Sequence, residues 1–165
     1  MITFIIAAMS TDGFIAREST QSSREWRSKG DAKFFIGKTK QAGVVVMGDV
    51  TFRTMRRPMP GRLHIVYSHG QIDAEGVEVV TREPKEVLRD LESRGYKEVA
   101  ICGGATIYTM FMEAGLVDKL YLTIEPIIFG SGVKLFKKDL DVRLKLVAIK
   151  KLEDNTVLLE YDVVR

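Results

Sequence analysis

Asp31 stands five residues after the chain's only tryptophan, Trp26, and four before Phe35. The segment Trp26-Arg-Ser-Lys-Gly-Asp31-Ala-Lys-Phe-Phe35 reads as a loop running into a helix, and residues four apart on a helix share a face. A carboxylate and a phenyl ring then stand side by side. That pairing suits a flat, nitrogen-rich heterocycle: the acid hydrogen-bonds the ring edge while the aromatic group covers its face. The same residues also admit a local reading. Ser28-Lys-Gly-Asp31 fits a capping box with Ser28 as N-cap and Asp31 as reciprocal partner, and Trp26 fits a core anchor.

Two glycine junctions offer a second kind of chemistry. Val44-Val-Val-Met-Gly48 precedes Asp49-Val-Thr51, and Ala100-Ile-Cys-Gly-Gly104 precedes Ala105-Thr-Ile-Tyr108. Glycine lets backbone approach an anion, and a helix start supplies free N–H groups and a favourable dipole. Two such junctions at one sheet edge could hold a dinucleotide pyrophosphate, with the Thr51 hydroxyl adding a phosphate contact. The alternative is a pair of ordinary tight turns. Arg62, after Pro60-Gly61, is either an exposed arginine or a bidentate fork for a substrate carboxylate. His64 and His69 have no acidic or serine partner at a telling spacing. Cys102 reads as a small apolar residue.

The elements that must position these groups alternate. Residues 2–9 are an unbroken apolar run, expected as a strand buried on both faces. Residues 10–27 are polar, without periodicity, and read as a long loop of the kind that tends to be functional. A helix is expected over 29–41, ended by Gly43. Further strands are expected at 44–47, 62–67, 77–80, 98–102 and 120–124, with helices at 49–55, 84–94 and 105–114. Residues 143–150 and 155–164 alternate apolar and polar around Glu153-Asp-Asn155, predicting an antiparallel hairpin. Strand–helix alternation implies a largely parallel sheet with helices on both faces.

At 165 residues with a net charge of +3, the chain is about the size of one domain. No basic stripe points to nucleic acid. One cysteine precludes an intrachain disulfide, no Cys/His cluster suggests a metal, and the apolar N-terminal run is too short to span a bilayer. A cytoplasmic monomer or homodimer acting on a small molecule, with no membrane partner, is the expectation.

Taken as a set, Ile5-Ile-Ala-Ala8, Trp26 with Asp31 and Phe35, Lys38-Thr39, Val46-Met-Gly48 with Thr51, Arg57-Pro-Met-Pro-Gly-Arg62, Ile101-Cys-Gly-Gly104 with Tyr108, and Leu120-Tyr-Leu-Thr123 resemble the dihydrofolate reductases in order and spacing. The resemblance implies a three-layer α/β/α domain over residues 1–165 with an eight-stranded, mostly parallel sheet. It implies reduction of 7,8-dihydrofolate to tetrahydrofolate by NADPH. On it, Asp31 would hold the 2-amino edge of the pterin with Thr123 in support, and Trp26 would complete the catalytic set. Phe35 would pack on the pterin and benzoyl linker, and Arg62 would bind the glutamate α-carboxylate. Ile6, Ala8 and Trp26 would line the pocket, and Cys102 and Tyr108 would border the nicotinamide. Ala8, Ile15, Gly48, Asp49, Thr51, Ser68, Arg82, Gly103, Gly104, Ala105, Thr106 and Ile107 would hold the cofactor. Residues 10–25 would close over the reaction.

Three departures qualify the resemblance. Asp49 stands where the family commonly has an arginine for the 2′-phosphate of NADPH. An acid there could instead accept hydrogen bonds from a free ribose, which brings NADH into play, or could be a helix N-cap. Arg82 could replace the missing positive charge. Thr11-Asp-Gly-Phe-Ile-Ala16 and Glu125-Pro-Ile-Ile-Phe-Gly-Ser-Gly132 are closer to the riboflavin-pathway pyrimidine reductases. Their substrate, a ribosylaminopyrimidine phosphate, is the alternative to folate; a third reading is a nucleotide-binding module without turnover.

Overall fold

A computed structural model describes residues 1–165. Its first strand, β1 (Ile2–Ser10), is buried almost throughout, because parallel neighbours flank it on both sides. The others are β2 (Phe14–Ala16), β3 (Val44–Gly48), β4 (Leu63–Tyr67), β5 (Val77–Val80), β6 (Glu98–Ile101), β7 (Lys119–Glu125), β8 (Val133–Lys134), β9 (Leu144–Lys151) and β10 (Val157–Val163). The main sheet runs β5-β4-β3-β6-β1-β7-β10-β9. It is parallel from β5 to β7 and antiparallel from β7 through β10 to β9. This is the expected mostly parallel, eight-stranded sheet with its C-terminal hairpin. Asp154 and Asn155, at φ 60° and 61°, are the central residues of the hairpin turn, which needs positive φ at both positions.

Side chains alternate across the strands and build two cores. On one face α3 (Pro84–Ser93) and α4 (Ala105–Glu113) bring Val87, Leu91, Phe111 and Met112 onto Ile5, Val46 and Ile101. On the other, α1 (Lys29–Ala42) and α2 (Asp49–Thr54) bring Phe34, Phe35 and Phe52 onto Phe4, Val45 and Met47. The Ser28 hydroxyl caps α1 by accepting from the Asp31 N–H at 3.1 Å, and Gly43 ends it at φ 75°. Such a cap contributes about 1 kcal/mol. No helix is long and apolar enough to cross a membrane.

Residues 10–27 differ from the expected irregular loop. They contain β2, paired antiparallel with β8, and a 3₁₀ turn over Ser23–Glu25. Segments of two or three residues have no period to detect, so only the partner strand reveals them. Gly132 makes the pairing feasible: a Cβ there would run into the Ala16 carbonyl oxygen. The Asp12 carboxylate accepts from the N–H groups of Phe129 and Gly130 at 3.0 and 2.7 Å. Phe129 in turn lies edge-on to Trp26, at 5.1 Å between centroids, and beneath the Arg17 guanidinium, at 4.2 Å. The loop after β1 is therefore held against the loop after β7.

Candidate active site

A cleft of about 820 Å³ opens at the C-terminal ends of the parallel strands, where ligands of open α/β sheets bind. Its volume is that of a site for a large ligand or two adjacent ones. Every residue expected to bind substrate or cofactor lines this cleft except Trp26, and Thr123 also stays off its surface. The indole of Trp26 packs on Phe129 instead, with Nε1 buried and unpartnered. Trp26 thus braces a loop and does not form the pocket wall, a correction that follows from Phe129 offering it an aromatic edge.

Asp31 is 3% exposed yet belongs to the cleft wall. The capping-box expectation is half right. Ser28 caps the helix, but its own N–H donates to Glu125 Oε1 at 3.0 Å and not to Asp31, which leaves the Asp31 carboxyl for the cleft. Burial pushes its pKa up; the Thr123 hydroxyl, buried with no other partner, and the Arg27 guanidinium at 3.9 Å pull it back, while Glu125 adds to the rise. Arg27, also 5.5 Å from the Phe35 ring centroid, is a wall residue that sequence reasoning passed over. Its signal was the i, i+4 spacing to Asp31.

Arg62 is buried and anchored. Nε donates to Thr39 Oγ1 at 3.0 Å, and the two terminal nitrogens donate to Pro60 O and Ile36 O, each at 2.7 Å. A guanidinium has five N–H bonds, so two remain for a ligand. His64, fully buried, holds the turn that carries Arg62: Nε2 accepts from the Met59 N–H and Nδ1 donates to the Arg62 carbonyl, both at 3.0 Å. That arrangement requires neutral imidazole, and burial lowers the His64 pKa. A histidine whose pKa falls on folding adds stability above its unfolded value near 6.5 and loses it as pH drops through the folded value. Thermal stability of the wild type is therefore expected to fall below about pH 6.5 more steeply than that of His64→Gln; parallel Tm profiles would contradict this.

At the other end, Gly103 and Gly104 join β6 to α4 through a cis peptide. A Cβ on Gly103 would lie 3.2 Å from the Tyr108 hydroxyl oxygen, and one on Gly104 would lie 3.3 Å from Thr51 Oγ1. No side chain caps α4, so its first N–H groups are open to an anion. The Tyr108 hydroxyl donates to Ile6 O at 2.9 Å, which ties α4 to β1, and burial raises its pKa. The Cys102 thiol is pushed up for the same reason.

Asp49 is not the N-cap of α2; Gly48 is, with no side-chain cap. Asp49 Oδ2 instead accepts from Ser68 Oγ at 3.0 Å and lies 3.9 Å from Arg53. Arg82, also in the cleft wall, is 3.6 Å from Asp90. Across the whole cleft, Arg24, Arg27, Arg57, Arg62, Arg82 and Lys137 outnumber Asp31, Asp49 and Glu83, a balance that attracts anionic ligands.

Residues 1–139 match the family model for dihydrofolate reductase. The chain is 33% identical over 126 residues to dihydrofolate reductase type 3 of Salmonella typhimurium, covering 74% of this chain and 71% of that one. It is 34% identical over 125 residues to dihydrofolate reductase of Bacillus subtilis, covering 74% and 68%. Among solved structures, dihydrofolate reductase from Enterococcus faecalis, complexed with NADP(H) and RAB-propyl, superposes with a TM-score of 0.77 at 27% identity over 99% of this chain and 97% of that one. A pyrimidine reductase-like protein of Corynebacterium diphtheriae shares the fold, with a TM-score of 0.79 at 20% identity over 99% and 92%. With a buried acid and an uncapped glycine-led helix start in one cleft, and a family match across most of its length, the chain belongs to the dihydrofolate reductase family.

Proposed function

We propose that this protein reduces 7,8-dihydrofolate to tetrahydrofolate with NADPH, NADH being the competing donor. The observation that carries the reading is the Asp31 carboxyl, buried in the cleft wall and released from its helix cap. Phe35 one turn along and the two free N–H bonds of Arg62 lie in the same wall. Together they match a ligand with an amidine-like edge, an apolar middle and a carboxylate tail.

The residues at the glycine end fit a dinucleotide, since side chains on Gly103 or Gly104 would fill the space beside Thr51 and Tyr108. The α4 N-terminus would take the pyrophosphate, and Asp49 and Ser68 would face a ribose. When bound, the reduced nicotinamide supplies a hydride to pterin C6. The remaining work falls to the chain. Asp31 would hold the 2-amino group and adjacent ring nitrogen and tune the proton affinity of the ring. In that pose it would lie on the edge away from N5, so water would deliver the N5 proton. The loop over residues 10–25, braced by Phe129, would exclude bulk solvent and align the two rings.

A second reading is reduction of a ribosylaminopyrimidine phosphate. Exposed Arg24 and Arg57 line the cleft and could take a phosphate in place of a carboxylate tail. The deciding assay follows loss of reduced-nicotinamide absorbance with each substrate. Turnover of dihydrofolate supports the first reading, turnover of the phosphorylated pyrimidine alone supports the second, and cofactor binding without either would leave a non-catalytic module.

Cofactor choice is tested at residue 49. Asp49→Arg is expected to raise the NADPH-to-NADH ratio of kcat/KM by about tenfold or more, equivalent to ~1.4 kcal/mol, by exchanging repulsion of a 2′-phosphate for attraction. An unchanged ratio would mean that residue 49 does not face the ribose.

A further inference from the structure

Glu125 has no place in the reaction as described, yet it is 1% exposed at the end of β7. A buried carboxylate is costly unless hydrogen-bonded. This one accepts three bonds: Oε1 from the Ser28 N–H at 3.0 Å and the Ser28 hydroxyl at 2.9 Å, and Oε2 from the Thr156 hydroxyl at 3.1 Å. Its carbonyl also accepts from the Thr11 hydroxyl at 2.7 Å. One side chain therefore joins β7, the approach to β10 and the start of α1.

The consequence lies at Asp31. In a complete capping box the acid at the third helical position reaches back to the N-cap N–H. Asp31 occupies that third position, after Lys29 and Gly30, and Ser28 is the N-cap. Glu125 already takes the Ser28 N–H, so Asp31 has no reason to turn toward it. We infer that Glu125 is a positioning residue that displaces Asp31 from the α1 cap and thereby keeps its carboxyl in the cleft.

Other charges at Asp31 act on a different axis. Arg27, on the approach to α1, faces it at 3.9 Å, and Thr123 on β7 and Tyr108 on α4 are its remaining polar neighbours. Arg27 also feels both Asp31 and Glu125. None of these groups competes for the Ser28 N–H, which is why the cap depends on residue 125.

The inference rests on the folate reading only for its activity arm. Its direct test is titration of the Asp31 carboxyl carbon by NMR in the free protein, for wild type, Glu125→Gln and Glu125→Leu. In the leucine variant Asp31 takes over the cap, and its midpoint falls below the wild-type value into or under the ordinary aspartate range, because N–H donors favour the ionised form. Glutamine keeps an acceptor for Ser28 and removes a like charge, so its midpoint falls less. With dihydrofolate, the leucine variant is expected to lose about 10²-fold in kcat/KM through misplacement of the acid, and the glutamine variant to stay within about threefold, as expected where positioning is kept. Equal midpoints in the leucine and glutamine variants, or equal loss of activity in both, would overturn the inference. If the leucine variant does not fold, Glu125→Ala carries the same test, and an Asp31 midpoint equal to that in Glu125→Gln overturns the inference. If no variant, nor the wild type, reduces dihydrofolate, the functional reading fails while the titration still decides the role of Glu125.

Discussion

Asp31→Asn is expected to lower kcat/KM for dihydrofolate by about 10²–10⁴-fold, the usual range for a group that governs proton affinity in a transition state. The amide presents an NH₂ where the pterin edge also presents donors, so one of two hydrogen bonds becomes a clash of like partners. The wild-type rate is expected to fall as pH rises through the raised Asp31 ionisation, because N5 must be protonated as hydride arrives. That limb should be missing from the variant. Stability moves the other way. A carboxyl whose pKa rises on folding stabilises the fold below its unfolded value and loses that contribution as pH passes its folded value. At neutral pH the buried carboxylate is then a net cost, and asparagine removes it. Tm of Asp31→Asn at pH 7 should equal or exceed wild type, and the advantage should vanish in acid. A variant that is inactive and also less stable at pH 7 would indicate that Asp31 serves the fold and not the reaction. The opposed signs are what a strained functional group predicts.

Which parts of this arrangement could be read in advance follows from the range of the interactions. β1 announces itself through an apolar run buried by two parallel partners, and α1 through Ser28 and Gly43 at its ends. Both signals are local. The placement of Asp31 was legible as a spacing, but its release from the cap was not, since that depends on Glu125, 97 residues from Ser28 along the chain. The spacing of Trp26 from Asp31 fits the family's pocket, but its indole follows Phe129, which lies in the loop after β7. β2 and β8 exist only as a pair. His64 had no sequence neighbour to suggest a role, because its two partners are backbone groups of the turn before it. Local capping and periodicity thus reveal the scaffold, while the tuning of the acid is set by contacts between the two loops and the end of β7.

Arg62→Leu is expected to raise the dihydrofolate KM by about 30- to 5,000-fold with kcat much less affected, as when about 2–5 kcal/mol of ground-state binding is lost with one partner of a charge pair. The guanidinium has a second duty that could imitate this result. It donates to Thr39 Oγ1, Pro60 O and Ile36 O, and leucine leaves those acceptors short, at roughly 1–3 kcal/mol for a buried group left unsatisfied. A lowered Tm is therefore part of the expected phenotype and does not by itself speak to binding. A substrate without the tail separates the two effects. With a dihydropterin that carries no glutamate, wild type and Arg62→Leu should share one KM, because neither has a carboxylate to hold. If the KM for this truncated substrate rises as far as that for dihydrofolate, the loss comes from a loosened wall between α1 and the Pro58–Arg62 turn. The two free N–H bonds of Arg62 would then have no ligand to meet, and the glutamate tail would lie elsewhere in the cleft.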